Sequence, residues 1–490
     1  LSNIIANFSH YLIQDYNKGD YSRLEKILCS YNERLHRAIP IGFVYDKETK
    51  ELRIPRGFSA NNLSSISGQD IHINYKPSDY DKMEMELYQQ PREKLQLKTI
   101  AFLCGLGKYD YTKKYSQVFC DLNTGKGKTY CAIAAMSYYR HKTVIFTPSR
   151  IGKIADQWYE SIIKYTNKKD EDILLIKGSK MCLDILDGKY DNKEIFIFPR
   201  STVTSFSTKY GWGKFQELME KIKVGVKIID ETHLDFVTNI KIDCYSNIKR
   251  NIYLTSSAGR GDDVEDKIFK AIFNSVPILG KELTTKEDNY IIMIIIKFTH
   301  NASYDQRLSC KTKEGLSTAL YSNYLVDQHG AKREFFTSLD YALKKIFIKY
   351  RDDKNGKLLI VGSTREFLNT ISRFLKKNYE EYSVGMYTSD VNKKIRHEEL
   401  NSDIILGTDK GISTGSDIEN LQFIINLIPY SNKIYADQIN GRNRKLDDGR
   451  NSFYVEIVND GFPEAISQYD KRSKYLCKKA KNSKLIIIKV

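Results

Sequence analysis

The sequence predicts an α/β protein: two doubly wound domains, each built on a parallel sheet, behind a small α+β element. Three observations predict it. Between residues 86 and about 280, short and nearly unbroken apolar runs alternate with helical stretches, as strands buried on both faces require. The same alternation returns over residues 336–490. The first run of the first block opens into a glycine-bearing loop that leads directly into a helix.

In chain order, Ile4 to Leu35 reads as one or two helices carrying basic and aromatic residues. Ile41 to Ile54 reads as a small β-element, with a turn at Asp46 to Lys50. Ile54-Pro-Arg-Gly-Phe58 is a charged turn, fitting either a DNA-facing loop or a domain edge, and Tyr75 to Tyr80 reads as a linker. The expected strands of the first block are Val118–Cys120, Thr143–Phe146, Ile195–Phe198, Val226–Ile229 and Ile252–Leu254. Tyr290 to Lys297 reads as a strand leaving that block, and Asn301 to Gly330 as an inserted helical element. The second block offers Lys357–Val361, Asp403–Leu406, Phe423–Ile428 and Phe453–Ile457, with no second phosphate loop. The expected division is 1–85, 86–285, 286–335 and 336–490: an accessory domain, a nucleotide-binding domain, a linker or insert, and a second domain.

Of 490 residues, 77 are Lys or Arg and 61 are Asp or Glu. The net charge of +16 favours a polyanionic partner. Part of the lysine excess reads as genomic bias, since Ile, Asn and Tyr, also residues of AT-rich codons, are abundant too. Hydrophobic residues at 41% place most of the chain among globular folds. The eight cysteines form no CxxC pair, which argues against a zinc site or a disulfide framework and fits a reducing compartment. No apolar run is long enough to span a bilayer, and the opening segment lacks the basic-then-apolar pattern of a signal peptide. The expectation is a cytoplasmic protein without membrane contact, its start at Leu1 reading as a trimmed terminus.

The chemistry concentrates in two stretches. Val118-Phe-Cys-Asp-Leu-Asn-Thr-Gly-Lys-Gly-Lys-Thr129 reads as strand, phosphate loop and helix. Asn123, Thr124, Gly125, Lys126 and Gly127 would wrap backbone N–H groups around phosphates, Lys128 would reach the β- and γ-phosphates, and the Thr129 hydroxyl suits Mg²⁺. Leu122 stands where the first glycine of the longer motif belongs. Ile228-Ile-Asp-Glu-Thr-His233 delivers two carboxylates at the end of an apolar strand. Asp230 would hold Mg²⁺ opposite Thr129, Glu231 would polarise the attacking water, and His233 would link the site to the neighbouring domain.

Together these stretches resemble motifs I and II of the superfamily 2 helicases and translocases of the DExH group. Phe146-Thr-Pro-Ser-Arg150 with Gln157-Trp158, Pro199-Arg-Ser-Thr202, Leu254-Thr-Ser-Ser-Ala258, Ile360-Val-Gly-Ser-Thr364, Gly407 to Asp417 and Gln438-Ile-Asn-Gly-Arg-Asn-Arg444 resemble the family's further motifs, in its order. The resemblance implies two RecA-like domains with ATP and Mg²⁺ between them. It implies that Gln438, Arg442 and Arg444 act from the second domain, an arginine finger being worth roughly 10³- to 10⁵-fold in turnover. The final motif departs from the family's, with Arg444 at a glycine position and Lys445 at the last arginine position. The resemblance also brings Gly415 and Asp417 to the nucleotide. Gln96 fits either an adenine-reading glutamine or a plain amphipathic helix. Thr147, Ser149, Arg150, Arg200, Ser201, Thr202, Thr364 and Thr408 fall where the family touches nucleic-acid phosphates.

Within the superfamily the layout resembles the phage UvsW-type recombination helicases. That implies 3′-to-5′ movement on single-stranded, forked or branched DNA, favoured over RNA, in recombination, replication or repair. Viral replication, recombination or transcription proteins would be its partners. The alternatives are a transcript-release or origin-binding helicase, an RNA helicase, and an ATP-gated clamp or virion component that holds nucleic acid without moving along it.

Overall fold

The computed structural model describes the chain apart from residues 1–3, 15, 17–21, 33–36, 47–48, 123–124, 149–151, 257–262, 281–290, 313–314, 352–354, 389–397, 409–410, 412–417, 431–438, 440–441, 444–445, 447–449 and 488–490. It divides into two compact units, Leu1–Leu283 and Thr284–Val490.

The first unit is built on seven parallel strands, in the order Ile173–Leu175, Ile195–Pro199, Thr143–Thr147, Val226–Ile229, Arg250–Thr255, Gln117–Asp121 and Ile278–Leu279. Successive side chains leave opposite faces of a strand. Val118 and Cys120 therefore enter one core with Ile145, Ile228 and Ile252, while Phe119 enters another with Phe146, Ile229 and Tyr253. Burial on both faces explains why the five expected strands read as nearly unbroken apolar runs.

The N-terminal segment departs from the helices expected over Ile4 to Leu35. Ile4–Ala6 and His10–Ile13 are strands, followed by a helix at Ser22–Leu28 and a strand at Cys29–Asn32. The first two belong to a mixed five-stranded sheet with Val44–Asp46, Glu51–Pro55 and Ile71–Ile73. They pair antiparallel with each other and, on their outer sides, with Ile71–Ile73 and Glu51–Pro55, so tertiary pairing overrides local preference. Ile4, Tyr11, Leu52 and Ile54 of this sheet share a core with Phe119, Phe236 and Phe269.

A buried polar network crosses that seam. The Lys227 ammonium donates to Asp243 Oδ1 (2.6 Å) and Ser246 Oγ (3.0 Å), and the Tyr253 hydroxyl donates to Asp243 Oδ2 (2.9 Å). His10 Nδ1 lies 3.1 Å from the Ser246 carbonyl and its Nε2 3.1 Å from Asn7 Nδ2, so Nδ1 carries the proton. Burial, with Arg53 and Lys227 nearby, lowers the His10 pKa to about 3. An unfolded histidine protonates near 6.5. Below that pH the unfolded chain takes up a proton that the folded chain refuses, so stability is lost as pH falls from about 6.5 towards 3. Between pH 6.5 and 5 this group alone is expected to cost roughly 2 kcal/mol. Denaturant midpoints of the wild-type chain should fall over that range, and His10→Gln should flatten the slope. Equal slopes would exclude His10 as the cause.

The second unit repeats the architecture. Its parallel strands run Val384–Tyr387, Ile404–Thr408, Lys357–Gly362, Leu421–Asn426, Ser452–Asn459, Ile291–Phe298 and Asn482–Ile487. Ile291–Phe298 was expected to leave the first block. It lies inside the second sheet instead, between Ser452–Asn459 and Asn482–Ile487. The segment after it contains a short helix, Tyr304–Ser309, closed by a Ser303–Gln306 capping box. A two-strand hairpin follows, then a helix at Thr318–Asp327. That second helix sends Tyr321, Tyr324 and Leu325 into the core around Phe462.

Candidate nucleotide-binding site

The site begins where the strand Gln117–Asp121 ends and the helix Lys128–Tyr139 starts. Ala132, Ala134 and Ala135 give that helix a strong intrinsic preference, and Tyr130 to Met136 is buried. Its N-cap, Gly127, has φ 76°, a left-handed conformation that glycine adopts without strain. A Cβ there would collide with the Gln96 side-chain amide. Gln96 Oε1 also accepts from the Arg92 N–H at 2.8 Å. Gln96 therefore lies against the phosphate loop, whichever of its two sequence readings holds.

Lys128 is buried, and its ammonium donates to the Leu122 carbonyl at 2.8 Å. The residue that breaks the long glycine motif thus contributes a backbone acceptor, while its side chain is fully buried. Gly125 is also left-handed, at φ 81°. Lys126 and Thr129 are half-buried beside it.

Two strands away, Val226–Ile229 delivers Asp230 and Glu231. Asp230 is 7% exposed. Its Oδ2 accepts from the Trp158 indole N–H (2.9 Å) and its Oδ1 from the Glu231 N–H (2.9 Å). Burial, then the neighbouring Glu231 carboxylate, raises the Asp230 pKa to about 6, against the pull of Trp158, Lys128 and Arg200. Glu231 moves the other way. Burial opposes its ionisation, but Lys128, His233 and the Ser256 N–H and hydroxyl together hold its carboxyl below the usual range.

The Glu231 backbone is left-handed at φ 43°, and Asp235 follows at φ 48°. For non-glycine residues this is a strained conformation that persists only when its surroundings hold it. Much of the holding is done by Arg200, which is 0% exposed. Its Nη1 donates to the Asp230 carbonyl and to Asn239 Oδ1 (both 3.0 Å), its Nη2 to the Glu231 carbonyl (3.3 Å), and its Nε to Asp235 Oδ2 (3.2 Å). The sequence had placed Arg200 on nucleic-acid phosphates. The structure gives it no solvent-facing surface and spends its donors on the acidic turn.

His233 is buried. Its Nδ1 lies 2.7 Å from Thr255 Oγ1 and 3.3 Å from Glu231 Oε2. Thr255 and Glu231 both belong to the first unit, and through them His233 joins the acidic turn to the end of the Arg250–Thr255 strand. Ser256 donates its N–H (3.4 Å) and its hydroxyl (3.2 Å) to Glu231 Oε2.

The phosphate loop, the acidic turn and Thr255–Ser256 thus meet at the carboxyl ends of adjacent strands, where open parallel sheets bind ligands. The donor set fits a triphosphate and its magnesium: a helix N-terminus, a lysine, a hydroxyl at Thr129 and a carboxylate at Asp230. The sequence missed the roles of Trp158, Asn239 and Asp235. A tryptophan inside an amphipathic helix was the one visible signal.

The other expected site residues are distributed as follows. Thr147 is buried, and its hydroxyl has no hydrogen-bond partner among the described residues. Ser201 is exposed and Thr202 buried on the helix Arg200–Tyr210. In the second unit, Thr364 caps the helix Arg365–Asn378, accepting from the Phe367 N–H at 3.2 Å. Thr408 Oγ1 accepts from the Gly411 N–H at 3.2 Å. Arg442 is half-buried, and its backbone N–H donates to the Ile439 carbonyl at 3.1 Å. Asn123, Thr124, Ser149, Arg150, Gly415, Asp417, Gln438 and Arg444 lie outside the described residues.

Fold and site together give two RecA-like α/β sheets, the first with a glycine-bearing strand-to-helix loop beside an acidic strand end. Residues 79–258 match the family described as type III restriction enzyme, res subunit. Among solved structures, S. cerevisiae Dbp5 bound to RNA and ADP BeF3 is similar over 82% of this chain and 90% of its own, at 16% identity and a TM-score of 0.51. T4 UvsW is similar over 99% of both chains, at 15% identity and a TM-score of 0.39. No curated protein matches.

Proposed function

We propose that this protein is an ATP-driven DNA helicase or translocase that remodels forked or branched DNA in recombination, replication or repair. The observation that carries the reading is the meeting of Lys128, Asp230, Glu231 and Ser256 at the carboxyl ends of adjacent strands of one sheet. In this reading ATP is the substrate. Lys128 and the N–H groups of the loop and helix start bind its phosphates, and Gln96 lies beside them. Thr129 and Asp230 hold Mg²⁺, which neutralises phosphate charge when bound. Glu231 orients the water that attacks. Arg442 supplies the cation that offsets charge on the γ-phosphate, with Gln438 and Arg444 in support.

Nucleic acid is bound through its backbone by Thr147, Ser149, Arg150, Ser201 and Thr202 in the first unit and by Thr364 and Thr408 in the second. Hydroxyls, arginine and the +16 charge suit backbone tracking without sequence preference. Viral replication, recombination or transcription proteins are the partners this role implies.

The test is ATP hydrolysis with no nucleic acid, single-stranded DNA, duplex, forked DNA and RNA. Large stimulation by DNA is expected, greatest with a fork, with binding that weakens steeply as salt rises. Stronger stimulation by RNA would make the protein an RNA helicase. Binding without stimulation by any strand would make it an ATP-gated clamp.

A further inference from the structure

We propose that Trp158 is a positioning residue for the Asp230 carboxylate, tying it to the helix Gly152–Tyr165. The inference deepens the proposed function and rests on its assignment of Asp230 to Mg²⁺. Trp158 is 1% exposed, in a core with Ile145, Ala155, Ile162 and Ile228. Packing alone would be met by phenylalanine. An indole adds one N–H, which must find an acceptor when buried. Here that acceptor is Asp230 Oδ2, at 2.9 Å.

The other carboxylate oxygen accepts from the backbone N–H of Glu231. Among the described residues, Trp158 is the only side chain that donates a hydrogen bond to this carboxylate. Its donor is also uncharged, so it fixes the carboxylate's direction while leaving its negative charge for a cation. The helix that carries it follows closely on Thr147 and Pro148, at the end of the strand Thr143–Thr147. That strand pairs directly with the acidic one, the Asp230 N–H donating to the Phe146 carbonyl at 2.9 Å. Backbone and indole together make the helix and the carboxylate move as one piece.

The chain has two tryptophans, so Trp212→Phe leaves Trp158 as the sole indole fluorophore. In that background, Mg²⁺ with ATP is expected to change the emission, and ATP in EDTA is not. In a second arm, Trp158→Phe keeps a ring in the core and removes the N–H. The Mg²⁺ concentration that half-saturates binding of a fluorescent ATP analogue should rise about tenfold, the usual consequence of losing an outer hydrogen bond to a metal ligand. Binding in EDTA should be unchanged. An emission blind to Mg²⁺, with unaltered Mg²⁺ dependence in Trp158→Phe, would overturn the inference alone. If the unsubstituted protein fails to bind the analogue with Mg²⁺, the functional reading falls, and this inference with it.

Discussion

Glu231→Gln is expected to lower ATP turnover by roughly 10²- to 10⁴-fold, the range for loss of a positioned general base, while nucleotide and DNA binding persist. Glutamine matches glutamate in size and can still accept from the Ser256 N–H and hydroxyl, so the turn should keep its shape. What disappears is charge. Lys128, His233 and Ser256 outweigh the burial penalty and keep the Glu231 carboxylate ionised near neutral pH. A neutral amide orients water weakly and takes no proton from it. Phosphate release in steady state, beside anisotropy binding of nucleotide and of forked DNA, separates the two effects. Turnover within tenfold of the unsubstituted protein would remove Glu231 from the reaction.

The elements visible in the sequence share a physical property, and so do those that were not. Val118–Cys120, Thr143–Phe146, Ile195–Phe198, Val226–Ile229 and Ile252–Leu254 are interior strands covered on both faces, a position filled almost wholly by apolar residues, with the buried Lys227 paired to Asp243. Within the two seven-stranded sheets, the four strands that went unread are Ile173–Leu175, Ile278–Leu279, Val384–Tyr387 and Asn482–Ile487. Each is an outermost strand of its sheet. An edge strand has one neighbour and tolerates polar residues, and Asn482–Ile487 is largely exposed. Ile4–Ala6 and His10–Ile13 were unreadable for another reason. Three or four residues carry too little periodicity to separate strand from helix, and their partners at Glu51–Pro55 and Ile71–Ile73 lie far along the chain.

The candidate site divides similarly. Lys128, Asp230 and Glu231 were legible because each sits at a fixed offset from a strand end, so local pattern specifies them. Trp158 and Arg200 serve the acidic turn from distant helices, where only the fold brings them, while Asn239 reaches it from the helix that follows the turn. Arg200 is the sharper lesson. An arginine after a strand in a basic chain invites a phosphate-binding reading, whereas its burial and its bonds to the acidic turn favour a structural one.

Arg200→Met is accordingly expected to act on stability and turnover together. Methionine replaces the stem but not the guanidinium. It leaves the Asp230 and Glu231 carbonyls and Asn239 Oδ1 short of a donor, and removes the guanidinium from Asp235. Breaking a buried ion pair from one side typically costs about 3–5 kcal/mol. Asp235 is 29% exposed and regains some hydration, so the lower end applies, about 3 kcal/mol. For a unit of this size that is a fall in Tm of roughly 5–10 °C. Turnover should fall as well, because the left-handed backbone at Glu231 is stored strain, and one of the groups holding it is gone. Arg200→Lys should recover little, since one ammonium cannot bridge two carbonyls, an amide and a carboxylate at once. A phosphate-contacting arginine would behave differently: Tm would stay put, DNA affinity would drop, and the salt slope would decrease by about one. Calorimetry beside a salt titration of DNA binding distinguishes the two. An unmoved Tm with a shallower salt slope would return Arg200 to the nucleic-acid surface and leave the strained turn at Glu231 without its principal brace.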